Sequence, residues 1–442
     1  MARYDRRNAL ILGAGRSGLA AARVILELHG RAAVADENWK PEALAAFGSE
    51  GISCIRAQRE HLPDGNFDLV IVSPSIPLTH PWIITARDRG LAIISELELA
   101  SVYWRGETIA VTGSKGKSSV IKCLTDTLNL AGRPAVTAGN YGIPLCERLL
   151  ECPDFGAGVI AVTEVSSFQL EHTRTFSPRI AAILNIQPDH LDRHGTMEAY
   201  TALKRKIFQA MRPGPGVAAF LPWGLSPLGI PPGVPLLRFG REAWVDWRYT
   251  RGSIVHGETK IALSGVFDNP ILGHAASLIA GMLAQLGLTP EQIAAGFAAY
   301  QPLPHRFQRL GQKRGVTFID DSKATSLTAT QAALKMVGQG VRLIAGGLLK
   351  EDDLDFLDEE LEDCALKAYL IGQAQDALEA AWRPILPCEK CGDMATAVAR
   401  AFAEAQPGET ILLSPGAASF DQYPGMGARG DDFAKQMANL PD

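Results

Sequence analysis

Three α/β domains in series are predicted for this chain by three observations. Short aliphatic runs alternate with amphipathic stretches along most of its length; two of those runs end in glycine-rich turns that open helices; and 442 residues, 47% of them hydrophobic, exceed what one core organises. The expected boundaries are 1–95, 96–300 and 301–442. Composition excludes several classes. Lys and Arg number 43 against 48 Asp and Glu, a net charge of -5, and no basic tract is present that could neutralise a run of phosphates, so nucleic-acid binding is not expected. No window approaches the roughly 18 apolar residues of a membrane span. The opening MARYDRRNALILGAGRSG breaks from its apolar run into glycines with no small-residue cleavage site, and reads as a strand entering a loop. Seven cysteines, an odd number, do not suggest a disulfide framework. A cytoplasmic location is expected.

In the first domain, strands are expected at 8–12, 32–35 and 69–72 with helices between them, the pattern of a parallel sheet. The first strand runs into Gly13-Ala14-Gly15-Arg16-Ser17-Gly18, a G-x-G-x-x-G opening a helix, and Asp36 ends the next strand 18 residues beyond the third glycine. That is a Rossmann-like dinucleotide pattern. Glycines serving only a tight turn account for it equally well.

The central domain begins with a strand at 108–112 that enters Gly113-Ser114-Lys115-Gly116-Lys117-Ser118, followed by Ser119 and a helix. Such a loop turns backbone N–H groups toward anionic oxygens, the helix dipole adds to the attraction, the Lys117 ammonium reaches phosphates, and the Ser118 hydroxyl suits Mg²⁺. The loop is shorter than a full Walker spacing, since position 111 is Val111 where a glycine would stand. A P-loop ATPase-like domain is nevertheless predicted, and two phosphate loops argue against hydride transfer. Further strands are expected at 158–163 and 180–186, each delivering acids at its C-terminal end: Glu164 after the first, Asp189 and His190 after the second. The His190/His194 pair has the i, i+4 spacing of a zinc site but no third ligand, so magnesium is the metal expected. Lys204, in EAYTALKRKIFQAM, reads by itself as a solvated charge on a surface helix. Beyond Met211, RPGPG and PWGLSPLGIPPGVP indicate turns between short strands.

After QPLPHRF, the third domain resumes alternation with strands at 316–319, 342–345, 368–371 and 410–413, again Rossmann-like. Asp321-Ser322-Lys323-Ala324-Thr325, then Lys350, then Ser414 and Ser419, each follow a strand end, so all could face one cleft suited to a small dicarboxylate. Cys388-x-x-Cys391 has no second pair, and neither metal binding nor redox chemistry is expected there.

Taken together and in order, TGSKGKSS, AGNYGIP, EVSSFQLE, PDHLDRHG, YTALK, PLPHRF, DDSKAT, AGGLLK and LLSPGAASFDQY resemble the cytoplasmic Mur ligases of peptidoglycan synthesis. The nearest likeness is to the branch that adds D-glutamate to UDP-N-acetylmuramoyl-L-alanine. The resemblance implies a UDP-substrate domain with Ser17 and Asp36 near the uridine, a central ATP domain and a C-terminal glutamate domain, working as a monomer. It implies that residues 113–119 bind ATP, with Gly113, Ser114, Lys115, Gly116 and Ser119 flanking the phosphate-contacting Lys117 and Ser118. Ser118, Glu164, His190 and a carbamylated Lys204 would hold two Mg²⁺ ions, and Asn140 and Ser166 would contact substrate. His305, Arg306 and Asp321 would lie around the transferred phosphate and the ATP ribose. Lys323, Thr325, Lys350, Ser419 and Phe420 would form the amino-acid pocket, with Lys323 joining Lys117, Glu164, His190 and Lys204 in catalysis. The reaction implied is phosphoryl transfer to the alanyl carboxylate, then attack of the glutamate amine on the acyl phosphate, with the third domain closing over the second to exclude water.

The chain departs from the family at Lys115, where Asn is frequent, at Ser75 and at Met426. The family's H-N-x-x-N segment is not recognisable in GVFDNPILGHAAS, where His274 or Asn269 would have to substitute. L-glutamate as the amino acid, another Mur or folylpolyglutamate-type ligase, and a nucleotide-binding regulatory protein on the same fold are the alternatives.

Overall fold

The structure is a computed structural model describing residues 4–269, 271–350 and 353–441. The chain divides into two compact units, residues 1–300 and 301–442.

The first unit contains two sheets. In the N-terminal one, β1 (Asn8–Leu12), β2 (Arg31–Asp36), β3 (Ser53–Arg56), β4 (Leu69–Val72) and β5 (Ala92–Ser95) lie in the order 3-2-1-4-5, all parallel. The two-residue period of a strand divides its side chains between two cores. Leu10, Leu12, Val70 and Val72 pack with Trp82 and Ile83. On the other face, Ala9, Ile11, Leu69 and Ile71 pack with Ala20, Ala21, Val24 and Ile25 of the helix Arg16–Glu27.

The second sheet has nine strands: β6 (Thr108–Thr112), β7 (Ala135–Gly139), β8 (Ile160–Glu164), β9 (Ile180–Ile183), β10 (Ala218–Pro222), β11 (Leu236–Gly240), β12 (Trp247–Thr250), β13 (Ser253–His256) and β14 (Thr259–Ala262), in the order 14-13-12-11-10-9-6-8-7. It is parallel from β7 to β12 and ends in two antiparallel pairings. Ile109, Val111 and Val162 face the helices Lys117–Leu130 and Leu272–Gln285. Ala110, Ala161, Ala181 and Ile183 face the opposite way, into the same apolar cluster as Ala9 and Ile11 of the first sheet. That shared core makes residues 1–300 one unit.

The helix Glu96–Tyr103 joins the sheets and buries two carboxylates along with Leu97, Leu99 and Ala100. Glu98 accepts from the backbone N–H groups of Arg174, Thr175 and Phe176 and from the Thr175 hydroxyl, while Glu96 accepts from the Cys146 N–H. For Glu98, hydrogen bonds from several backbone donors offset the cost of burying charge.

The second unit is a six-stranded sheet of β15 (Gln308–Lys313), β16 (Val316–Asp320), β17 (Val341–Gly346), β18 (Ala365–Ile371), β19 (Cys388–Gly392) and β20 (Thr410–Leu413), ordered 15-16-20-17-18-19. Only the edge strand β15 is antiparallel. Separate apolar clusters line its two faces. Among the described residues, no helix is long and apolar enough to cross a membrane, and all seven cysteines are free.

Candidate functional site

Strand β6 delivers the phosphate loop to the C-terminal edge of the second sheet. Gly116 caps the helix Lys117–Leu130 at φ +82°, a left-handed conformation costly for any residue with a Cβ. The Lys117 ammonium lies against the Gly113 and Ser114 carbonyls at 2.8 and 3.0 Å, and Ser118 is buried in the first helical turn. Ser119 follows half-buried. Lys115 projects outward to Asp189, 3.4 Å away.

Glu164 ends β8 beside the loop and is 2% exposed. One carboxylate oxygen accepts from the Asn140 amide at 2.6 Å; the other, Oε2, is buried with no hydrogen-bond partner. An unpartnered buried carboxylate oxygen calls for a cation.

Lys204 corrects the expectation of a solvated surface charge. The short helix Met197–Arg205 presents Tyr200 and Lys204 as its two buried residues, so Lys204 is only 2% exposed. Its ammonium donates to the Gly113 carbonyl at 2.9 Å, the same oxygen that Lys117 uses, and lies 4.5 Å from the Tyr200 ring centre. Burial, reinforced by the Lys117 charge, pushes this ammonium down to about 7. A neutral amine is thereby accessible near neutral pH.

His190 stands at φ +53° as the N-cap of the four-residue helix Leu191–His194, its ring 4.9 Å from Phe168. His194 is placed differently: its Nε2 is 3.0 Å from the Ser167 hydroxyl and its ring packs between Phe168 and Tyr200. Ser166 caps the helix Ser167–Leu170 in a reciprocal box with Gln169, so its hydroxyl has a local task.

Sequence reasoning missed Asn185. Its side-chain oxygen accepts from the N–H groups of both Ser114 and Lys115 at 3.0 Å, and its amide donates to the Lys115 carbonyl. The Ser114 hydroxyl meanwhile contacts the Gln187 backbone at 2.9 Å and the Tyr200 hydroxyl at 3.1 Å. The available signal was its position, an asparagine just past a fully buried strand. Asn269 is committed to capping, accepting from the N–H groups of Ile271 and Leu272. His274 is half-buried with Nε2 3.2 Å from the Leu184 carbonyl, behind the phosphate loop.

At the first sheet, Gly18 is required by close approach, because a Cβ there would sit 2.1 Å from the Gly13 carbonyl oxygen. Asp36 accepts from the Ala14 and Asn38 N–H groups at 2.8 Å, and Ser17 is half-buried in the following helical turn. A cavity of about 760 Å³ lined by Arg23, Glu50, Leu149 and Phe155 shares no residue with these loops.

In the second unit, three strand-end loops are laced together. The Gly416 N–H donates to the Ala324 carbonyl, Leu348 bridges Ala418, and the Ser414 hydroxyl donates to Asp321 at 3.1 Å. Beneath them, buried Arg429 donates to the Ser322, Ala417 and Gly346 carbonyls and to the Ser322 hydroxyl. Asp321 also accepts from the Phe307 N–H, and burial pushes its carboxyl up to about 7. His305 contacts Asp320 at 2.7 Å. Arg306, Lys323 and Thr325 are half-buried, Ser419 is buried, Lys350 is exposed and Phe420 is 70% exposed. Ser322, Ser414 and Arg429 hold these loops in place.

Three family descriptions match the chain: the MurD-like N-terminal domain of Mur ligases over residues 7–95, the Mur ligase middle domain over 111–221, and the Mur ligase glutamate ligase domain over 305–416. The chain is 38% identical to the UDP-N-acetylmuramoylalanine--D-glutamate ligase of Dinoroseobacter shibae, the alignment covering 98% of each. Among solved structures it is similar to MurF from Acinetobacter baumannii, at 18% identity and a TM-score of 0.61 over 97% of this chain and 93% of that one. It is similar also to MurF from Thermotoga maritima in complex with ADP, at 17% identity and a TM-score of 0.58 over 99% of each.

Proposed function

The chain belongs to the Mur ligase family, and on that premise we propose that it joins D-glutamate to the alanyl carboxylate of UDP-N-acetylmuramoyl-L-alanine, driven by ATP, as a cytoplasmic monomer in peptidoglycan precursor synthesis. The observation carrying the site assignment is the buried, unpartnered Glu164 Oε2 beside a phosphate loop whose lysine is already turned inward. Residues 1–95 take the UDP end, with Ser17 and Asp36 beside it; residues 96–300 take ATP; residues 301–442 take the amino acid.

A carboxylate resists amines until one oxygen becomes a leaving group. Transfer of the ATP γ-phosphoryl group to the alanyl carboxylate supplies this, giving ADP and an acyl phosphate. The uncharged glutamate amine then adds to the acyl carbon, and the tetrahedral adduct collapses to amide and inorganic phosphate with loss of the amine proton. Lys117 leaves its loop carbonyls to meet the phosphates, helped by the N–H groups of the helix start. Asn140 orients Glu164. The donor set of hydroxyl, carboxylate and imidazole fits Mg²⁺: Ser118, Glu164 and His190 would hold it, with Lys204 once carbamylated. When bound, magnesium offsets the repulsion between the two anions that must meet. Carbamylation consists of the neutral Lys204 amine adding to carbon dioxide and releasing a proton, a step favoured by the lowered pKa. Arg306 and Asp321 serve the nucleotide, and Lys323, Thr325, Lys350, Ser419 and Phe420 serve glutamate.

Phosphate release is expected only when ATP, Mg²⁺, UDP-N-acetylmuramoyl-L-alanine and D-glutamate are present together. Turnover with L-glutamate in place of D-glutamate would overturn the stereochemistry, and turnover with neither would overturn the ligase reading.

A further inference from the structure

One half-buried guanidinium has no part in that mechanism. Arg193 lies three residues after His190 in the helix Leu191–His194, a single turn too short to sustain itself and entered through a left-handed residue. Its fork meets Glu171 with two contacts, at 3.0 and 2.5 Å, and the Glu171 side chain is 1% exposed. The same guanidinium donates to the Ser75 carbonyl at 3.3 Å and to the Ile76 carbonyl at 2.9 Å. Its Cζ lies 4.5 Å from the centre of the Phe168 ring, which also packs against His190 and His194. Ser75 and Ile76 follow β4 of the first sheet. Ser73 of that segment donates its N–H to Leu12, and its hydroxyl lies 3.2 Å from that of Ser75.

A buried ion pair is a poor source of stability but a good means of fixing geometry, since a planar fork leaves little rotational freedom. Here one fork ties the turn bearing His190 to a buried carboxylate, an aromatic face and two carbonyls of the neighbouring sheet. We propose that Arg193 is a positioning residue that fixes His190 as a metal ligand in register with the 73–77 loop of the UDP-binding side. The proposal rests on the reading of His190 as a magnesium ligand.

The test compares wild type with Arg193→Lys, which keeps the charge and loses the fork, and with Arg193→Met/Glu171→Met, which removes both charges and keeps apolar volume. Mn²⁺ binding is titrated by electron paramagnetic resonance in the presence of a non-hydrolysable ATP analogue, with His190→Ala as reference and thermal melting as the check on folding. Mn²⁺ affinity should fall about 10- to 100-fold in both variants, the range for residues that orient a metal ligand. In turnover, the half-saturating Mg²⁺ concentration should rise while KM for D-glutamate stays unchanged. If Arg193→Lys does not fold, the double variant reads the same quantity. Wild-type Mn²⁺ affinity in either folded variant overturns the proposal. Unaltered Mn²⁺ binding in His190→Ala would instead overturn the ligand reading beneath it.

Discussion

Lys117 and Lys204 bring two ammonium groups onto one carbonyl oxygen, that of Gly113, at 2.8 and 2.9 Å. Burial first, and the neighbouring Lys117 charge second, push the Lys204 ammonium down to about 7. Losing a proton makes Lys204 nucleophilic, and in the proposed mechanism carbamylation would reverse its sign from a cation competing with magnesium to an anion supporting it. Lys204→Ala should therefore lower kcat by about 100-fold or more, the scale of removing one preorganised charge from an active site. Bicarbonate, small enough for the vacated space, should recover part of that loss. Wild-type rates in the variant would sink the carbamate role. Periodicity could not have singled out this lysine: Lys204 stands beside Arg205 and Lys206, and only the packing of Tyr200 under the phosphate loop turns it inward.

The helix Glu96–Tyr103 joins the two sheets of the first unit through buried carboxylates. Burial pushes the Glu96 carboxyl from 4.5 up to about 7. A pKa raised by folding means that the native state favours the protonated form. The contribution is thus fully present below about pH 4.5 and lost as the pH rises through about 7. Glu96→Gln is neutral throughout, so it should match wild type near pH 4 and exceed it near pH 8, by at most about 3 kcal/mol for a shift of this size. Urea unfolding at both pH values measures this, and an equal difference at the two would contradict it.

Elements differed in how readably they were written. The strands Asn8–Leu12, Leu69–Val72, Ile180–Ile183 and Thr410–Leu413 are buried on both faces and declare themselves as apolar runs. By contrast Ser53–Arg56, Gln308–Lys313 and Cys388–Gly392 are outer strands that carry polar residues and are held by backbone pairing to one neighbour, which periodicity does not register. The same contrast governs the site. Lys117, Ser118 and Glu164 sit at strand ends that the pattern marks, whereas Asn185 and Arg193 act through partners about 70 and 118 residues away in sequence.

At the scale of the whole molecule, the shared core of Ala9, Ile11, Ala110 and Ala181 fuses the first two sheets, while residues 301–442 carry apolar clusters of their own on both faces of their sheet. That segment expressed alone should fold, giving an α/β circular dichroism spectrum and one cooperative thermal transition. A gradual, non-cooperative melt would show that it depends on the first unit. Strand order also separates the two units in time. In the first sheet the central strand is β1, which emerges before the other four and is ready to receive each later neighbour. In the second unit β20 lies between β16 and β17, so until residues 410–413 leave the ribosome the sheet exists only as two unjoined halves. Residues 1–300 can therefore be complete on the nascent chain while residues 301–442 wait for their last strand.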